Sequence, residues 1–265
     1  MRRLLIAVLL LSACAPGRSA GGAGIRLSDE QALEIGKKIF INEAGGKAEF
    51  LVHWNAGEEF ASLGIGHFIW YPAGYQGPFD ESFPKLLRFL ASRGTKLPKW
   101  LKGDPDCPWK TREQFLAEKE SAVALELRRL LESTIALQAR FAADRLESAL
   151  PKLLAAAPEA ERDALRRQFY RVAAHPNGVY ALVDYVNFKG EGIKLTERYA
   201  GHGWGLLQVL QGMSGEAAGA PALDEFAESA DRALTRRVAN SPPERNEARW
   251  LGPWRKRLTT YRVAS

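Results

Sequence analysis

Ser28-Asp29-Glu30-Gln31-Ala32-Leu33-Glu34-Ile35-Gly36-Lys37-Lys38-Ile39-Phe40-Ile41-Asn42-Glu43-Ala44-Gly45-Gly46 reads as one helix with both ends written into it. Ser28 and Gln31 are spaced as a capping box, in which each side chain takes the other's backbone N–H, and so open the helix. Ala32, Ile35, Gly36, Ile39 and Phe40 recur at helical spacing and define a face turned to a core, and the paired glycines stop the helix soon after Asn42. Glu43 falls on that apolar face one turn after Ile39, so a carboxylate is aimed inward at the helix's C-terminal end. The negative end of the helix dipole and partial burial both disfavour its ionised form, and a raised pKa is expected. An acid that keeps its proton near neutral pH can donate it to a glycosidic oxygen. Taken alone, Glu43 reads more readily as a glutamate that closes a helix end and reaches solvent.

Outward from this helix the apolar period stays helical. Thr111 with Gln114 opens a long helix running towards Ser133, and further helices are expected at about 82–93, 134–149, 159–174, 178–189, 203–213, 223–239 and 244–261. Residues 61–71, ASLGIGHFIWY, depart from that period, with β-branched and aromatic residues around two glycines, and predict a short hairpin or buried turn. The expected fold is mainly α, an α+β arrangement with one small β-hairpin beside the helix that ends at Glu43.

The chain has 265 residues, 46% hydrophobic and 26% charged, enough for one sizeable core and too apolar for disorder. Arg2 and Arg3, an apolar run from Leu4 to Leu11, and Leu11-Ser12-Ala13-Cys14 form an N-terminal segment too short to span a bilayer. That string resembles the lipobox of bacterial lipoproteins, which implies a signal peptide over residues 1–13, lipid on Cys14, a flexible tether to residue 24 and a folded domain over 25–265. Ala15 after the cysteine implies sorting to the periplasmic face of the outer membrane. Loss of Arg2 and Arg3 lowers the formal charge of +6 by two. Mild basicity suits an anionic polymer, and export favours the cell wall over nucleic acid. Cys107, the thiol left after lipidation, is expected to be buried. His53 and His67, with Glu58 and Glu59 between them, match no helical metal-ligand spacing, so neither metal nor cofactor is called for.

Trp54-Asn55-Ala56-Gly57-Glu58-Glu59-Phe60-Ala61-Ser62-Leu63-Gly64-Ile65-Gly66-His67 follows Glu43 closely and brings two more carboxylates, a hydroxyl and an imidazole. Ser62-Leu63-Gly64-Ile65-Gly66-His67, about twenty residues after a glutamate at a helix end, resembles the Thr-Ile-Gly-Ile/Tyr-Gly-His signature of phage-type lysozymes. The resemblance implies a lysozyme-like fold, Glu43 as catalytic acid, Ser62 in the place of the hairpin threonine, and His67 beside the substrate or packed behind the hairpin. The family's second acidic residue falls here on Ala56, with Glu58 and Glu59 nearby but off its register. Asn42-Glu43-Ala44-Gly45-Gly46 also resembles the Glu-Ser-Gly run of lytic transglycosylases, which use one glutamate.

Far downstream, Val179-Tyr180-Ala181-Leu182-Val183-Asp184-Tyr185-Val186-Asn187-Phe188-Lys189-Gly190 carries a core stripe of Val179, Leu182, Val183 and Val186 and leaves Tyr180, Asp184 and Asn187 sharing another face. It is similar to segments lining the cleft in both families, which implies sugar binding by these three residues; an amphipathic helix with a solvated polar face is the plain alternative. Trp204, in a Gly-Trp-Gly-Leu-Leu-Gln run, is a candidate for sugar stacking. The expected function is a monomeric, lipid-anchored muramidase that cuts the β-1,4 bond between N-acetylmuramic acid and N-acetylglucosamine. The alternatives are a lytic transglycosylase giving anhydro sugars and a non-catalytic wall-binding lipoprotein.

Overall fold

The computed structural model describes residues 24–77, 80–195 and 197–263, without the side chains of Glu43 and Ala44. Cys14, the signal segment and most of the tether lie outside the described residues. Helix α1 spans Asp29–Ala44, and its capping box forms as the spacing predicts, Gln31 N–H donating to Ser28 Oγ at 3.1 Å and Ser28 N–H to the Gln31 side chain at 2.8 Å. Gly45 closes it in the left-handed region at φ 58°, its N–H reaching back to the Phe40 carbonyl.

A three-stranded antiparallel sheet follows, with β1 at Val52–His53, β2 at Ala61–Leu63 and β3 at Phe68–Trp70 in the order β1-β2-β3. Ser62 stands opposite His53 on one side and Ile69 on the other. The expected hairpin is β2–β3, and β1 extends it to a third strand. Helix α2 (Phe83–Ser92) covers the sheet with Phe83, Leu86, Leu87 and Leu90.

The long helix expected from Thr111 is two helices, α3 (Arg112–Glu118) and α4 (Ala122–Ser133). Each has its own cap, Thr111 accepting from Gln114 N–H and Ser121 from Ala124 N–H, and the second hydroxyl restarts the chain in a new direction. Then come α5 (Ile135–Ala156), α6 (Arg162–Ala173), α7 (Pro176–Lys189), a two-stranded hairpin of β4 (Arg198–Tyr199) and β5 (His202–Gly203), α8 (Leu206–Gln211), α9 (Ala220–Asn240) and α10 (Ala248–Thr259). The β4–β5 hairpin and the later start of α8 replace the front of the helix expected at 203–213. Its turn places Ala200 and Gly201 both at positive φ, the geometry of a tight two-residue connection.

The fold is thus mainly helical, with two small antiparallel sheets. Helix α7 is its centre: residues 177–185 are all buried, and α1, α5, α6 and α8 pack around it. Over residues 177–185 the helix has no solvated polar face to offer. Helices α1 and α5 cross closely at Gly36, where a Cβ would lie 2.6 Å from the Ile135 side chain and 2.8 Å from its carbonyl oxygen. Cys107 is buried as expected, and burial pushes its thiol up to about 12. No helix among the described residues is long and apolar enough to cross a membrane.

Candidate active site

Two structural arms carry the residues singled out by the sequence. The first is the end of α1, where Glu43 occupies the last turn, its side chain outside the description. The second is the loop between β1 and β2. Here Glu58 is half-buried, and its Oε2 accepts from Asn55 Nδ2 at 3.0 Å and from Ser62 Oγ at 3.3 Å. The loop is clamped at its base, since Trp54 Nε1 donates to the Glu58 carbonyl at 2.7 Å and Arg112 Nε to the Trp54 carbonyl at 3.0 Å. Two donors converge on one carboxylate oxygen, so the side chain is held in a single orientation with Oε1 left for another partner. Glu59 is exposed and makes no such bond. Of the two glutamates in this loop, Glu58 is the organised one, and Ser62 on the adjacent strand positions it.

His67 is exposed at a positive φ of 47° in the β2–β3 turn, so it does not pack behind the hairpin. The turn reverses the chain within four residues and carries this side chain outward.

Tyr180 and Asp184, expected on a sugar-binding face, are instead fully buried and line no groove among the described residues. Their shared face of α7 is covered by the end of α1 and by α10. Asp184 takes a two-pronged ion pair from Arg257, Nε and Nη2 each at 2.8 Å, and a hydrogen bond from Tyr261 at 2.6 Å. Asn42 Nδ2, beside Glu43, reaches the Tyr180 hydroxyl and lies 3.5 Å from Asp184 Oδ1. Tyr180 is also bonded to Thr260 at 2.6 Å, and burial, then the charge of Asp184, pushes its phenol up to about 12. This network anchors the helix end that bears Glu43. The Tyr180 and Asp184 side chains are enclosed by protein and open to no groove among the described residues.

Trp204 is likewise a core residue, 7% exposed. Its ring packs against Tyr199 at 4.7 Å and under the Arg237 guanidinium at 4.1 Å, and its carbonyl accepts from Tyr185 at 2.7 Å. Asn187 is exposed, one turn beyond Asp184, and sits at the rim of a cavity with Arg145, Glu191 and Gly66.

Periodicity missed a cationic and aromatic stack at the far end of α7, because its members come from four separate segments. Arg237 pairs with buried Glu247 at 2.7 and 2.8 Å and stacks between aromatic rings. Lys189 holds its ammonium 3.5 Å from the centre of the Trp254 ring and 4.0 Å from that of Phe188. Burial, and then the charges of Arg237 and Arg257 with Glu247 opposing, push the Lys189 amine down from 10.5 to about 7. The unfolded chain therefore binds more protons than the folded one between about pH 7 and pH 10.5, so stability rises with pH across that window. Below it the penalty is fully present. Lys189→Met is expected to stabilise the protein at pH 6 by about 1 kcal/mol, a figure held down by the water that still reaches the amine and by lost ring contacts. Thermal unfolding of both proteins at pH 6 and pH 10 measures this, and a variant less stable than wild type at pH 6 would contradict it.

Comparison of the chain with protein-family models, curated proteins and solved structures finds no match.

Proposed function

We propose that this chain is a peptidoglycan-cleaving muramidase that acts on the β-1,4 bond between N-acetylmuramic acid and N-acetylglucosamine. What supports this reading is a helix whose last turn carries Glu43, followed in the chain by a small sheet whose first loop holds Glu58 between Asn55 and Ser62. Glycoside cleavage uses two carboxyl groups, one giving a proton to the leaving oxygen and one acting on the opposite face of the sugar. Glu43 takes the first role. Glu58, oriented through Oε2, takes the second, as base for water or as nucleophile. Ser62 is a positioning residue that acts through Glu58, and the exposed Glu59 has no part in the chemistry.

The expected signal peptide at residues 1–13 supports a place on the periplasmic face of the outer membrane, held by lipid on Cys14. The folded domain is tied in directly after the tether, where Ile25 N–H donates to Glu147 Oε2 at 3.1 Å. Ten tether residues reach roughly 17 Å as a flexible chain, which confines cleavage to glycan near the membrane. Incorporation of labelled palmitate is expected for wild type and is lost in Cys14→Ser; an unlabelled, soluble wild-type protein would refute the anchor.

Mass spectrometry of muropeptides released from purified sacculi tests the activity. Reducing sugar ends are the expected product. Anhydro ends would assign a transglycosylase, in which the sugar's own 6-hydroxyl replaces water, and intact sacculi that retain the protein would make it a wall-binding module.

A further inference from the structure

Residues 82–103, SFPKLLRFLASRGTKLPKWLKG, contain six cations and no carboxylate, a charge equal to the net +6 of the whole chain. Helix α2 turns Phe83, Leu86, Leu87 and Leu90 into the core and so leaves Lys85, Arg88 and Arg93 exposed. Lys96, Lys99 and Lys102 follow, exposed, on the segment after it. A second cationic run, over 248–262, is neutralised by tertiary structure, since Arg255, Arg257 and Arg262 pair with Asp231, Asp184 and Asp224. The α2 run is not. Lys85 pairs with Asp80 and Arg88 with Asp104, but Lys96, Lys99 and Lys102 form no ion pair among the described residues.

These cations share one face. Arg88, Lys96 and Lys102 rim a shallow groove of about 310 Å³ floored by Leu87, Leu97 and Leu101. The face also lies where the chain enters the folded domain. A cleft of about 220 Å³ brings Arg93, at the end of α2, together with Ile25, Arg26 and Leu27. Arg140 Nη1 fixes that entry by donating to the Leu27 carbonyl at 2.7 Å, and Arg26 stands exposed within it. Arg93 lies 5.0 Å from the centre of the Phe89 ring and feels the charge of Asp144 from the same cleft. A lipid on Cys14, joined through a tether reaching roughly 17 Å, would hold this entry, and with it the cationic face, close to a bilayer.

We propose that the face built by Arg26, Arg93, Lys96, Lys99 and Lys102 docks on an anionic phospholipid bilayer, its lysines among the phosphate groups. Charge complementarity selects an anionic surface, and the place of the chain's entry selects the bilayer over the wall. A lipid on Cys14 holds the protein at the membrane but leaves the domain free to turn, and the cationic face gives it one orientation. The proposal goes beyond the cleavage reading and rests on the proposed anchor for its choice of partner.

To test this, the full-length protein is mixed with vesicles of phosphatidylcholine containing phosphatidylglycerol, or of phosphatidylcholine alone. Its lysines are then acetylated with an uncharged reagent and read by mass spectrometry. Lys96, Lys99 and Lys102 are expected to react at least ~5-fold more slowly on the anionic vesicles at low salt, and the difference to vanish at high salt. Exposed Lys256, on α10, should react alike on both. Arg93→Glu combined with Lys99→Glu reverses two exposed charges. It should bring Lys96 and Lys102 to within about twofold of their rates on neutral vesicles, with circular dichroism and sacculus digestion unchanged. Equal rates on the two kinds of vesicle, or slowing of Lys256 as great as that of the three lysines, would overturn the proposal. Slowing by purified sacculi but not by anionic vesicles would also overturn it and assign the face to the carboxylates of the wall. The readout needs neither lipidation nor digestion. Slowed lysines in a protein that takes up no palmitate would uphold the face and overturn the anchor, and slowed lysines with uncut sacculi would uphold it and overturn the cleavage reading.

Discussion

Glu43→Gln is expected to lower the digestion of purified sacculi by at least ~100-fold, the usual scale for removal of a general acid. Glutamine preserves the shape and the helix propensity of glutamate and takes away only the dissociable proton. The helix should survive, because α1 is held by Ala32, Ile35 and Ile39 in the core, by its capping box and by the close approach at Gly36. Glu59→Gln serves as the matched control: the side chain is exposed, and its loss should leave digestion within a few-fold of wild type. Release of dyed fragments from sacculi, read alongside far-ultraviolet circular dichroism, measures both effects. Near-normal digestion by a folded Glu43→Gln protein would remove Glu43 from the chemistry and with it the proposed mechanism.

Asp184→Ala is expected to cost about 3–5 kcal/mol of folding stability, because it removes one side of a buried ion pair. The carboxylate is fully buried and receives three donors from Arg257 and Tyr261. Its removal takes a two-pronged ion pair from the mostly buried Arg257 guanidinium and leaves the Tyr261 hydroxyl without its acceptor. Urea denaturation followed by fluorescence gives the number directly. Were Asp184 a groove residue, as its place on the α7 face suggests from sequence, the same substitution would weaken sugar binding and leave stability within about 0.5 kcal/mol. A loss below 1 kcal/mol would therefore contradict the buried ion pair. The effect should also reach the site, since the pair supports the Asn42 amide next to Glu43.

The contrast between these two residues marks the division between chain and fold. The sequence by itself determined the helical class, the capping box of Ser28 and Gln31, the glycine stop behind Glu43 and the hairpin at residues 61–71. Each is settled within a few residues by backbone hydrogen bonds, caps and side-chain periodicity. The break between α3 and α4 was also written locally, in Ser121, which caps as well as Thr111 does. Which carboxylate near residue 56 is organised depended on how the β1–β2 loop closes, and that brings Ser62 against Glu58 and turns Glu59 outward. The fate of the polar face of α7 was decided only by tertiary structure. Periodicity correctly put Tyr180 and Asp184 on one side of the helix, but the side is covered by Arg257, Thr260 and Tyr261, more than 70 residues away in the chain. Trp204 was decided in the same way, by Arg237 closing over it from α9. A polar side chain looks the same in sequence whether it meets water or a distant partner. Burial is stabilising for it only when the partner arrives, and that is a property of the packed helices.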